Sequence, residues 1–232
     1  MAPHLQKKVV AMMLLPILEE IQSYTRAVEK NEVQCDLPCC PRCREPASFK
    51  LHERRRRTYL VVVERLVKTV LSLLTRWKCE RCGETFTLYP AFALPRKRYV
   101  RQEVFCRAGR YVEGDHESYR KAVKVDGMGV FHEGQGEEID ERALAHTTLY
   151  RWLGLFSSLE STCREALRLL REKAPACDVF RKILPIAPWK YRSEERRGVL
   201  GDCRRLLVAE VEYRRLFGIS IFPRLATVSA WR

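Results

Sequence analysis

Two cysteine pairs are the residues of this sequence best suited to chemistry. Cys40 and Cys43 are separated by two residues, and Cys79 and Cys82 repeat that spacing after 35 intervening residues. Two thiolates spaced in this way can reach one metal ion from a tight turn, and a structural zinc site takes four such ligands in a tetrahedron. The spacing therefore predicts a structural Zn²⁺ site made of these four cysteines.

Other uses of the cysteines fit the pattern less well. A thioredoxin-like redox site needs a single pair beside a βαβ unit, and no such unit flanks these pairs. Cys39 could replace Cys40 in register, but only Cys40 leaves two residues before Cys43. The chain has ten cysteines without the regular spacing of a disulfide framework, which favours a reducing, cytoplasmic compartment.

The formal net charge of +14 is concentrated around the cysteine pairs. Residues 42–110 hold 18 basic and 6 acidic side chains, a net charge of +12, whereas residues 111–160 carry −5. Such a field attracts polyanions, and with DNA or RNA the release of counterions drives association. We expect a nucleic-acid partner, and the alternative is a soluble protein that is merely basic.

Four consecutive arginines, Arg54, Arg55, Arg56 and Arg57, precede an apolar stretch that is typical of a strand. Alternate residues of a strand face opposite sides, so no single face could bury the set. We expect them at an exposed hairpin tip or edge, in contact with phosphates; the alternative is a solvated loop or an edge kept soluble by charge.

The helix expected next adds four further candidates for phosphate contact, which are Arg96, Lys97, Arg98 and Arg101.

Residues 139–145 and 146–159 have the form of a short helix, a tight turn and a second helix, as in a helix-turn-helix. Leu149, Leu153 and Phe156 recur at helical spacing and are expected to face the core. Thr148, Arg151 and Trp152 fall elsewhere on the circumference of the second helix. The alternative is an ordinary helical bundle, because this segment is net acidic.

In a DNA-binding version, the second helix would enter the major groove by its N-terminal end. His146 or Thr147 is expected to cap this helix. The candidate contact residues are His146, Thr147, Thr148 and Arg151. Arg151 is the strongest of them, because arginine pairs with guanine through two hydrogen bonds.

The pattern predicts an α+β fold that is mostly helical. A helical leader (1–34) precedes a small β zinc ribbon (35–95), a helix-turn-helix module (96–160) and a basic helical tail (161–232). Helices are expected over 15–31, 96–112, 158–173 and 193–217, and extended chain over 49–63 and 66–89. Residues 9–18 are apolar but too short to cross a membrane, and no cleavage site follows them.

The stretches "CPRC" and "RWKCERCGETFTLYPAFALPRKRY" resemble the zinc ribbon at the start of many bacterial insertion-element transposases. There a C-x-x-C…RY-x-C-x-x-C-G-x-x-F pattern precedes a helix-turn-helix ending in T-x-Y-R-W. The matching positions are Cys40, Cys43, Arg76, Cys79, Cys82, Gly83, Phe86, Thr148, Tyr150, Arg151 and Trp152, while Trp77 replaces the usual tyrosine. The chain is also similar to short stand-alone bacterial proteins of uncharacterised function, and the resemblance covers residues 35–160.

The resemblance implies that a full transposase would continue into a catalytic domain with three metal-binding carboxylates. The 73 residues after Leu159 are too few and too helical for it, and no other catalytic motif is present, so we expect a non-enzyme.

The sequence thus predicts a cytoplasmic, nucleoid-associated bacterial protein that binds double-stranded DNA, as a mobile-element accessory factor or a transcriptional regulator. Its tail would serve homodimerisation or further phosphate contact. The alternative is an adaptor that recruits a separately encoded transposase, recombinase or polymerase. No membrane partner is expected.

Overall fold

The computed structural model describes residues 3–63, 65–114, 118–125, 128, 130–132, 140–141, 145–180, 186–218 and 220–221. The chain divides into two compact units, the first made of Met1–Glu103 and Val125–Ala143 and the second of Val104–Lys124 and Leu144–Arg232. Among the described residues, the first unit holds a sheet and the second holds helices without strands, which confirms the α+β class. Among the described helices, none combines the length and hydrophobicity that crossing a bilayer requires.

The first unit is built on one long antiparallel hairpin. Its elements are helix α1 (Pro3–Glu29) and strands β1 (Phe49–Val63), β2 (Leu66–Cys79), β3 (Thr85–Leu88), β4 (Phe131–His132) and β5 (Asp140–Glu141). β1 and β2 pair from Phe49 opposite Cys79 to Val63 opposite Leu66. β3 lies antiparallel to the end of β2, β4 lies parallel to its start, and β5 pairs with β4.

Aromatic rings and α1 cover part of this hairpin. The Phe92 ring packs edge-on against Tyr24 of α1 at 5.6 Å and against Tyr59 of β1 at 5.2 Å between centroids. The hydroxyls of Thr25 and Ser72 share a 2.7 Å hydrogen bond that ties α1 to β2. Strands of this length extend for about 45 Å, so contacts of this kind are needed to hold a two-stranded structure.

The second unit is a helical bundle. It contains most of α2 (Arg101–Glu113), with α3 (Tyr119–Ala122), α4 (His146–Ser157), α5 (Glu160–Lys173) and α6 (Glu194–Phe217). Both α4 and α5 pack on α6. Leu149, Leu153 and Phe156 of α4 are buried, as the sequence predicts.

The bounds of α6 follow directly from its capping residues. The Ser193 hydroxyl accepts a hydrogen bond from the Arg196 amide at 3.2 Å. Gly218 ends the helix with φ of 70°, and its amide donates to the Arg214 carbonyl at 2.9 Å. A serine before the first turn and a glycine after the last are the strongest local signals for helix ends, and they confirm the prediction for 193–217.

Three helical predictions are wrong. Residues 96–100 are not helical, because Arg96 has φ of 59° and the chain then runs beside β1, where the Leu60 amide donates to the Arg98 carbonyl at 2.9 Å. Asp140 and Glu141 form β5 instead of a helix, since their backbone pairs with β4; residues 139 and 142–144 lie outside the described residues. The N-cap of α4 is Ala145 and has no side-chain hydrogen bond, so neither His146 nor Thr147 caps the helix.

Two buried cations cover the C-terminal end of α2. Lys190 Nζ donates to the Tyr111 carbonyl at 2.6 Å and also to the Gly114 carbonyl, and Arg204 Nη2 donates to the Val112 carbonyl at 2.9 Å. These carbonyls have no partner within their own helix and carry partial negative charge. Both cations are about nine-tenths buried or more, so the hydrogen bonds offset the cost of removing them from water.

Replacing Lys190 with Met should lower the free energy of unfolding by about 2 kcal/mol, because it leaves buried carbonyls without donors. Urea denaturation of Lys190→Met beside Lys173→Met measures this. Lys173 is exposed at the end of α5, and its substitution should change stability little. Equal losses from the two variants would contradict a role for Lys190 at the end of α2.

Candidate metal centre and its basic surroundings

Each cysteine pair lies in a turn with the same backbone hydrogen bonds. The Cys40 amide donates to the Glu45 carbonyl at 2.9 Å, and the Arg44 amide donates back to the Cys40 carbonyl at 2.8 Å. In the second turn the Cys79 amide donates to the Glu84 carbonyl at 2.9 Å, and the Gly83 amide donates to the Cys79 carbonyl at 2.9 Å. The two turns are therefore local copies of one structure.

The residue after the second cysteine of each turn has a left-handed backbone. Gly83 has φ of 74° and Arg44, in the same position of the first turn, has φ of 63°. Glycine adopts this conformation without steric cost, and arginine does not. The sequence carries a signal for this equivalence, since "CPRCRE" and "CERCGE" share the pattern C-x-R-C-x-E.

The four sulfur atoms of Cys40, Cys43, Cys79 and Cys82 all lie within 4.8 Å of one another, and those of Cys40 and Cys82 are 3.9 Å apart. Tetrahedral zinc with bonds of about 2.3 Å to sulfur would separate its ligand atoms by about 3.8 Å. The structure thus brings together the four cysteines that the sequence predicts, and they could hold a metal ion. Cys39 is outside this group, as the spacing requires.

The two buried cysteines of the group differ in acidity. Burial raises the pKa of the Cys40 thiol to about 12. The hydrogen bond from the Cys82 amide lowers the pKa of Cys79 to about 7. Since a metal binds thiolates, any thiol proton still present must leave when an ion enters.

The cysteine group closes the base of the hairpin. Phe49, the first residue of β1, pairs with Cys79, the last residue of β2. The Glu80 amide donates to the Ser48 carbonyl at 3.1 Å, and the rings of Phe49 and Phe86 meet edge-on at 5.3 Å. An ion bound here would therefore join the chain before β1 to the chain after β2.

The arginine run lies along the middle of β1, away from the hairpin tip that the sequence also allowed. Among the described strands, β1 is at the edge of the sheet. Arg54, Arg55 and Arg56 are exposed and Arg57 is half-buried. The expectation of an exposed edge is confirmed, and that of a tip is wrong because β1 continues to Val63.

The arginines of the run have different contacts. Arg54 Nε donates to the Val28 carbonyl at 3.1 Å, near the end of α1. Arg55 pairs with Glu53 at 2.9 Å, and Arg57 Nη2 donates to the Lys97 carbonyl at 3.2 Å. Arg56 has no hydrogen-bond or ion-pair partner among the described residues, so its guanidinium is the one in this run that is open to an anion.

The second group of basic residues predicted to contact phosphates, Arg96, Lys97, Arg98 and Arg101, differs in burial from one residue to the next. Arg96 and Arg98 are exposed, and Lys97 is half-buried. Arg101 is 8% exposed, so its guanidinium is not presented to phosphates as the sequence led us to expect. The segment that contains Arg96–Arg98 runs beside β1, and therefore the two basic stretches lie together on the first unit.

In the second unit, α4 exposes three of the four residues that the sequence predicts to contact DNA. His146, Thr147 and Arg151 are exposed, and Thr148 is half-buried. Trp152 is 3% exposed and belongs to the core of the bundle, a role that its position on the helix circumference did not indicate.

The left-handed turn positions generate a prediction about stability. Arg44→Gly should raise the free energy of unfolding and Gly83→Ala should lower it, each by about 1 kcal/mol, because only the backbone preference changes. A methyl group at Gly83 would meet no atom within 4 Å. Urea denaturation of the purified chain measures both effects.

Gly154→Ala is the matched control, since this helical glycine also has open space around it. It should stabilise the chain, by about 0.5–1 kcal/mol, because alanine favours a helix over glycine. A stabilising effect of Gly83→Ala would show that the turn does not require its left-handed backbone.

The assignment of this site as a candidate metal centre rests on the geometry of the cysteine group. The transposase-like motif, with its two cysteine pairs and the residues of T-x-Y-R-W, remains a resemblance in sequence. Comparison with protein-family models, curated proteins and solved structures finds no match to this chain.

Proposed function

We propose that this chain is a DNA-binding protein whose zinc ribbon is held by one structural Zn²⁺ ion at Cys40, Cys43, Cys79 and Cys82. The observation that carries the proposal is the cluster of four sulfur atoms between two equivalent turns, at the base of a strand that presents the open guanidinium of Arg56. In this role the chain would serve as a transposase-like accessory factor or a transcriptional regulator.

The donor set favours zinc in a structural role. Four thiolates in a tetrahedron suit Zn²⁺, and they leave no position for a water molecule or a substrate. A zinc ion that acts in catalysis keeps such a position open. The ion would instead stabilise the hairpin, which as two strands alone would be marginally stable in water.

The charge of the first unit favours a polyanion. Arg56, Arg96 and Arg98 are exposed, and the described residues offer them no acidic partner. Phosphate contacts of this kind position a protein on DNA without reading sequence. Base reading would fall to α4, where Arg151 and the first-turn residues His146 and Thr147 are exposed.

The zinc site is tested by metal analysis of the purified chain. The native protein should contain about one zinc per chain, and Cys79→Ser should lose it and destabilise the first unit, since structural zinc supplies folding free energy. Cys39→Ser is the matched control and should retain zinc, because Cys39 lies outside the sulfur group. Full zinc content in Cys79→Ser would refute the site.

DNA binding is tested by changing Arg56, Arg96 and Arg98 together to Gln. Affinity for duplexes of unrelated sequence should fall by a similar factor, and the slope of log affinity against log salt should flatten by up to about 3. Fluorescence anisotropy over a range of salt concentrations measures both quantities.

The control carries Arg164→Gln, Arg168→Gln and Arg215→Gln, which remove the same charge from exposed, ion-paired positions in the second unit. It should bind duplex almost as the native chain does. Equal losses in both triple variants would refute contact through the first unit. Absence of duplex binding at low salt would instead favour an adaptor.

A further inference from the structure

The helical unit has an open cleft of about 440 Å³ that is rich in aromatic side chains. Five of its lining residues are aromatic, namely Tyr111, Tyr119, Tyr150, Trp189 and Tyr191. They come from α2, α3, α4 and the chain before α6. The unit thus gathers rings from four separate segments around one opening.

Some of these rings are held by their neighbours, and others are open to solvent. Tyr111 and Tyr119 stack at 4.0 Å between centroids with an angle of 15° between their planes. Tyr119 meets Tyr150 edge-on at 6.2 Å. Trp189 and Tyr150 are 54% and 55% exposed, so each presents a large apolar surface to the cleft and to water. A flat ligand could cover that surface by stacking.

The charge of the lining residues indicates which charge a ligand of the cleft should carry. Its basic residues are Lys190, Arg192 and Arg196, and none of the described residues that line it is acidic. Lys190 is engaged with the carbonyls of α2, and Arg196 lies 4.2 Å from the centre of the Tyr150 ring and donates to the Tyr119 hydroxyl. Arg192 is exposed and has no partner among the described residues.

Aromatic clefts bind methylated ammonium groups or nucleotides, and the rings and charges of this cleft distinguish between these two kinds of ligand. A cage for a methylated ammonium group needs ring faces without nearby cations. Here Arg196 lies over one face of Tyr150, Lys190 Nζ lies 5.3 Å from the centre of the Trp189 ring, and Arg192 adds positive charge. A ligand with a flat ring and a negative group satisfies both the rings and the arginines, and a nucleotide has that composition.

We propose that the cleft binds an unpaired nucleotide of single-stranded nucleic acid. The base would stack against the exposed rings of Trp189 and Tyr150, and a phosphate of the strand would contact Arg192. Stacking of this kind tolerates any base, because every base has a π face. The inference does not rest on the proposed phosphate contacts with duplex, because Arg56, Arg96 and Arg98 lie in the other compact unit.

The test uses the full chain and an oligothymidylate of about ten nucleotides, which does not form a duplex. Trp189→Leu and Tyr150→Leu should each weaken binding about 10-fold, as measured by anisotropy of the labelled strand. Trp189→Phe should bind within about 3-fold of the native chain, because it retains an aromatic face. Arg192→Gln should flatten the salt slope by about 0.7, the loss of one phosphate contact with a single strand.

Tryptophan fluorescence gives a second readout. Trp77 and Trp152 are buried, and Trp231 is replaced by Phe in every protein used for this readout, so quenching by the strand should come from Trp189 and disappear in Trp189→Phe while binding remains. The controls are Val211→Ala and Arg214→Gln, which change exposed side chains of α6 that do not line the cleft. Both controls should bind and quench as the native chain does.

Several results would overturn the inference. One is native affinity in Trp189→Leu, and another is quenching by tetramethylammonium but not by the strand. Equal affinity for thymidine monophosphate would assign the cleft to free nucleotides instead. The two proposals can fail separately. If the triple variant at Arg56, Arg96 and Arg98 keeps native affinity for duplex, only the proposed function is contradicted. If Trp189→Leu keeps native affinity for the single strand, only the proposed role of the cleft is contradicted.

Discussion

The approach of four sulfur atoms at the base of a long hairpin is the interaction on which the first unit depends. β1 and β2 pair over their whole length, but a hairpin of two strands has only a limited apolar face to bury. The cysteine turns fix the open end of this hairpin, and α1 with Phe92 covers part of its surface. β1 begins at Phe49, which pairs with Cys79 of the second cysteine turn.

Basic side chains divide into those that hold the fold and those that remain open. Arg54 and Arg57 donate to backbone carbonyls, and Lys190 and Arg204 do so inside the helical unit. A side-chain cation that is bound to backbone carbonyls in this way is less available to contact an external anion. The net charge of the chain therefore overstates the charge that a partner meets.

The sequence predicts features that depend on local chemistry and misses those that depend on distant partners. The cysteine group, the buried face of α4 and both ends of α6 follow from spacing and capping residues. The helix expected at 139–145 fails because Asp140 and Glu141 pair with β4, and local propensity does not encode such a pairing. The aromatic cleft could not be predicted either, because four separate segments supply its rings.

The two cysteine turns have a consequence for the order of assembly. Each turn makes its hydrogen bonds within six consecutive residues, so neither needs the other in order to form. If the cysteine group binds an ion, either turn could take it up first as a two-sulfur chelate. The second turn then binds the same ion as a tethered partner, at an effective concentration in roughly the millimolar range. In such a sequence of events the ion would join the two ends of the hairpin, and the strands would pair outward from that joined end.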